Sequence, residues 1–142
     1  ISDHTAYDEG CVFGQWYPNI NEIVVSVADF GVGIPKNVAR IADGLDDSEA
    51  IKKAAEDGFS SKSLPTNRGA GLYLLLLNIV IRFNGKVTIR SGKGYVEFVN
   101  RAGNLYTKHQ ASCGYCIGTT IDIVLNTENI PQIEEEEEDF EW

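Results

Sequence analysis

Apolar and polar positions along this chain fall into short alternating runs at both ends and longer amphipathic stretches in the middle. Residues 22–29 (EIVVSVAD) give the clearest strand, rich in β-branched side chains and stopped by Gly31, and residues 11–17 give a shorter one before it. Pro18 and Asn19 mark the turn between them, so the pair predicts an antiparallel hairpin. Residues 35–42 read as a helix with Pro35 in its first turn, where the missing N–H is tolerated. Asp46, Asp47 and Ser48 then offer N-caps for a second helix over residues 49–56, ended by Gly58.

Residues 59–71 (FSSKSLPTNRGAG) are polar and punctuated by glycine. Residues 72–83 are apolar almost all round and closed by Asn84-Gly85, which predicts a buried helix entered through a flexible loop. Strands are expected at 87–91, 95–100 and 105–109, with turns at 92–94 and 102–104, and a last strand at 121–125 (IDIVL). Strands at both ends with helices between them predict an α+β fold. The expected form is a two-layer α/β sandwich with a mixed, mostly antiparallel sheet and helices on one face.

Composition narrows the functional classes. A chain of 142 residues with 43% hydrophobic residues fits one domain with a real interior. We divide it into a domain over residues 1–126 and an acidic, disordered tail over 127–142. A net charge of −9 disfavours nucleic acid and anionic membranes, whose recognition needs clustered Lys and Arg. The longest apolar run, residues 72–81, is interrupted by Asn78 and falls short of the ~20 residues that span a bilayer, so no membrane insertion is expected. Cys11, Cys113 and Cys116 make an odd count in a chain with no secretory leader, which fits a reducing, cytoplasmic setting. His109, Cys113 and Cys116 have the spacing of three zinc ligands where a structural site wants four, and a turn before a strand is the favoured reading. No metal ligand and no catalytic residue is assigned.

Three short motifs carry candidate chemistry. Asp29-Phe30-Gly31-Val32-Gly33 sits where a strand gives way to a loop, which would fix a carboxylate at the sheet edge and let the backbone come close to a ligand. A buried acceptor there would take a hydrogen bond from an exocyclic amino group such as adenine N6 and reject purines without one; the plain alternative is an Asp-Gly turn. Arg68-Gly69-Ala70-Gly71-Leu72 opens the apolar helix, where free N–H groups and the helix dipole suit phosphate; the alternative is a glycine loop that lets the helix pack. Gly118-Thr119-Thr120 precedes the last strand and offers a hydroxyl to a purine edge, or is simply a turn.

In that order, VADFGVGIP, NRGAGL and GTTIDIVL resemble the GHKL, or Bergerat-fold, ATPases: sensor histidine kinases, anti-sigma-factor serine kinases, gyrase-type topoisomerases and heat-shock chaperones. The likeness runs over nearly the whole chain to Leu125. It implies that Asp29 hydrogen-bonds adenine, that Gly31 and Gly33, with Ile34 beside them, floor the purine pocket, and that Gly69 and Gly71, with Leu72, bend a lid toward the phosphates. Thr119 or Thr120 would complete the adenine contacts, and Lys62, in a stretch similar to the family's Ser/Thr-Lys lid, would approach the terminal phosphates. The implied ligand is ATP or ADP. The family's metal-binding Asn and general-base Glu are carried on a helix that would fall ahead of Ile1, so Mg²⁺ is expected only with upstream residues and the chain reads as a fragment, inactive by itself. The parent is expected to be a bacterial ATP-dependent kinase or ATPase in signal transduction, acting on a protein substrate or regulatory partner and capable of forming a homodimer. The alternative is a non-catalytic module whose lid responds to nucleotide.

Overall fold

The computed structural model describes residues 7–59, 70–110 and 114–132. Within them, β1 (Tyr7–Tyr17), β2 (Glu22–Phe30), β3 (Lys86–Gly92), β4 (Gly94–Arg101), β5 (Asn104–His109) and β6 (Cys116–Asn126) form one six-stranded sheet in the order β1-β2-β6-β3-β4-β5. Every pairing among the described residues is antiparallel, in keeping with the mostly antiparallel sheet expected, and none is parallel. The helices are α1 (Ile34–Ala39), α2 (Asp47–Ala54) and α3 (Ala70–Leu76).

Paired residues share a face of the sheet, so register sorts the side chains into rows. Val25, Ile123, Val87 and Phe98 make one row; Val27, Ile121, Ile89 and Val96 make the next. The helices pack on this face. Ile51 and Ala55 at α2, Leu76 of α3 and Val80 just beyond it form the buried core with Val87, Ile89, Val96 and Phe98. The fold is thus an α+β sandwich with its helices on one side of an antiparallel sheet.

Asp46, of the three expected caps, closes a capping box on α2. Its carboxylate accepts from Glu49 N at 2.8 Å, and the Glu49 carboxylate accepts from Asp46 N at 2.9 Å. Asp47 and Ser48 serve a different end: they accept from Lys93 N (2.6 Å) and Tyr95 N (3.3 Å), clamping α2 to the β3–β4 hairpin.

Two expectations need correction here. The single helix over 72–83 starts at Ala70 and gives way to a π-helical segment, Leu77–Arg82. Asn78 accounts for the change: its side-chain amide donates to Leu74 O at 2.9 Å, engaging a carbonyl of the preceding turn, and its own carbonyl accepts from Phe83 N, five residues on, at 3.0 Å. Nor is this helix buried all round, because Gly71, Leu74, Asn78 and Arg82 form an exposed stripe in which Leu74 keeps 51% of its surface. The last strand, expected from residue 121, begins at Cys116. A glycine that reads as a turn, Gly118, is a bulge within it: Ser91 pairs with Thr119 and Gly92 with Cys116. The proposed acidic tail falls mostly outside the described residues. Among the described residues no helix is long and apolar enough to cross a membrane.

Candidate functional site

A third row, Asp29, Thr119, Ser91 and Gly94, ends the helix-covered face of the sheet. Here the side chains change from apolar to polar, and the chain leaves β2 for α1. Asp29 Oδ1 accepts from Gly31 N at 2.8 Å, so the carboxylate is held by the turn it starts. Its other oxygen has no partner among the described residues. Asp29 is exposed, where a buried acceptor was expected, because β2 lies beyond the part of the sheet that the described helices cover.

Ser91 is the hub of this row and is fully buried. Its hydroxyl donates to Gly118 O at 2.6 Å and accepts from Ile34 N at 2.9 Å. Since its single proton is committed to Gly118, the 3.2 Å contact with Thr119 Oγ1 has Thr119 as donor. The Thr119 oxygen then keeps its acceptor lone pairs beside Asp29. Gly33, buried at φ +85°, begins α1 against this hub: a Cβ there would stand 2.8 Å from Ser91 Oγ and 3.0 Å from Gly118 O. Gly118, at φ +68°, is just as constrained, since a Cβ would run into the Asp29 carbonyl oxygen.

The structure therefore gathers Asp29, Gly31, Gly33, Ile34 and Thr119 around Ser91. Thr120 is not among them. It alternates to the opposite face of β6, where its hydroxyl lies 3.6 Å from Cys116 Sγ. Gly71 and Leu72 belong to the first turn of α3; Leu72 packs against the core, and a Cβ on Gly71 would meet nothing within 4 Å among the described residues. Lys62 and Gly69 lie outside the described residues. Sequence reasoning missed Ser91, although it breaks the Val87, Ile89 alternation with a hydroxyl at a core-facing position, which is a legible sign of a buried polar junction. The zinc spacing does not come together: His109 is on edge strand β5, with its Nδ1 3.0 Å from Lys52 Nζ, and β3 and β4 separate it from Cys116. Cys113 lies outside the described residues.

In class, the molecule is an α+β sandwich with a polar, glycine-bounded row at one end of its sheet. No protein-family model matches the sequence, and comparison with curated proteins gives no match. Among solved structures, the B subunit of DNA gyrase from Myxococcus xanthus is similar at 11% identity and a TM-score of 0.42, over 80% of this chain and 30% of that one. The chain thus spans about a third of the length of that subunit, and a likeness of this size carries no argument about ligand or activity.

Proposed function

We propose that this chain binds an adenine nucleotide, ATP or ADP, at the row of Asp29, Gly31, Gly33 and Thr119. The observation that supports this reading is the Asp29 carboxylate, oriented through one oxygen by Gly31 N and, among the described residues, without a partner at the other. Thr119 Oγ1, paired in register with Asp29, adds a second acceptor on the same face. Two neighbouring acceptors suit an exocyclic amino group, which carries two donors, and disfavour the carbonyl that guanine presents at the same ring position.

In the same proposal the parent protein is a histidine-kinase-like ATPase or protein kinase of bacterial type, cytoplasmic, with a protein substrate or regulator as partner and a homodimer as one of its assemblies. Lys62, Gly69 and Gly71 would face the phosphates. Mg²⁺, when bound, would neutralise phosphate charge. Among the described residues no three His, Cys, Asp or Glu side chains come together as a cation site. What this chain's own residues do is bind and orient the purine.

Thermal unfolding with ADP, GDP or buffer tests the reading. A ligand at a hundredfold excess over its Kd adds about 2.7 kcal/mol to stability, which for a domain of this size raises Tm by roughly 10 °C. ADP is expected to do so and GDP is not. Equal shifts with both, or none with either, would remove adenine recognition from this site.

A further inference from the structure

The tip of the β3–β4 hairpin is fixed from one side and open on the other. Lys93 stands between the two strands, and Gly92, at φ +57°, makes the turn. α2 holds this tip: Lys93 N donates to Asp47 and Tyr95 N to Ser48, and a Cβ on Gly94 would stand 2.7 Å from both Asp47 O and Ile51 Cδ1. The main chain of the turn is therefore set before any ligand arrives.

On the face of the sheet turned away from the helices, Tyr95 is the register partner of Arg90, and Arg90 that of Thr120. The β6 bulge extends this row. Pairing passes from Ser91 and Thr119 directly to Gly92 and Cys116, so residues 117 and 118 are extra and Cys116 takes the place beside Gly92 that a regular strand would give to Gly118. Cys116 Sγ accordingly lies 3.6 Å from Thr120 Oγ1. With Tyr115 it walls a cleft of about 340 Å³ against Arg90, Lys93 and Tyr95.

Charge in this cleft runs against that of the chain. Among the described residues two cations line it and no Asp or Glu does, in a protein of net charge −9. Arg90 is ion-paired with Asp122, which also accepts from Ser26 Oγ at 2.5 Å, and its guanidinium lies 5.4 Å from the Tyr95 ring centroid. The pair orients the guanidinium and uses only part of its five-donor fork. Lys93 is exposed, and its ammonium has no acidic partner among the described residues. Tyr115 keeps 65% of its surface, so a second aromatic ring stands open at the same cleft.

We propose that this cleft binds a small aromatic anion, with the charged group at Lys93 and Arg90 and the ring against Tyr95 and Tyr115. Its volume is that of a small-molecule site, and the negative charge of the whole chain disfavours a polymeric anion. The cleft is distinct from the row of Asp29 and Thr119, which ends the opposite face of the sheet, and binding there does not depend on adenine recognition.

Amide NMR shifts of the whole chain, titrated with phenyl phosphate, inorganic phosphate or phenol, test ring and charge together, charge alone and ring alone. Phenyl phosphate is expected to give saturable shifts at Gly92, Lys93, Tyr95, Tyr115 and Cys116, with an affinity roughly tenfold above that of either half. Lys93→Gln, at an exposed turn position that leaves the fold intact, is expected to weaken it by about fivefold, the worth of one exposed ion pair. An equal response to inorganic phosphate or to phenol, an unchanged affinity in Lys93→Gln, or no saturable shift overturns the proposal. Shifts that fall on Asp29, Gly31 and Gly33 overturn it too, by assigning the anion to the site already described.

Discussion

The two halves of the helix-bearing face are built from similar residues and end in different environments. Over β3 and β4, Val87, Ile89, Val96 and Phe98 are sealed beneath α2, α3 and the π-helical segment. On β1 and β2, Val12, Trp16 and Val27 belong to the same face and keep 73%, 63% and 39% of their surface. Alternation in sequence marks both sets as inward-facing, yet only the first meets a second layer among the described residues. Binary pattern decides which way a side chain points; burial depends on what lies opposite.

Substitution sharpens this contrast. Ile89→Ala is expected to cost about 2–5 kcal/mol, since it removes a fully buried side chain from a packed cluster. Val12→Ala on the same face is expected to stay within about 0.5 kcal/mol, because its side chain is already in water. Urea unfolding of the two variants measures the difference, and equal costs would mean that the β1–β2 face is covered after all.

Ser91→Ala comes next in size. It strips the partner from Ile34 N and Gly118 O inside a buried junction, for an expected loss of about 1–3 kcal/mol. A loss near zero would show that water replaces the hydroxyl. Smaller again is Asp46→Ala, which opens the capping box of α2 and should lower stability by about 1 kcal/mol, read from the same urea midpoints. If its effect exceeded that of Ser91→Ala, the hub of the site would lie at α2 rather than at the third row.

Much of this was legible in the sequence and some of it was not, for identifiable reasons. Short runs bounded by turn residues located all six strands, because local pattern is what distinguishes a pleated, half-buried segment. Their order was not legible: nothing local announces that β6 inserts between β2 and β3, and that insertion is what sets Thr119 beside Asp29 and Ser91. Gly118 looked like a turn because a positive-φ glycine serves a turn and a bulge equally. The choice between Thr119 and Thr120 needed the register, since adjacent residues in a strand face opposite ways. The π-helical segment was hidden because its cause, the Asn78 amide turning back to Leu74, is a side-chain contact within an otherwise helical run.

The central claim is that the Asp29 end of the sheet reads adenine, and calorimetric titration of ADP into the parent chain and into Asp29→Asn tests it most directly. Asn keeps the shape and an acceptor oxygen but loses the charge, and a hydrogen bond to a charged group contributes about 1.5–3 kcal/mol. We expect ADP affinity to fall by roughly tenfold or more with the unfolding midpoint unchanged. Equal ADP affinity in a folded Asp29→Asn variant would contradict the account and take Asp29 out of the site.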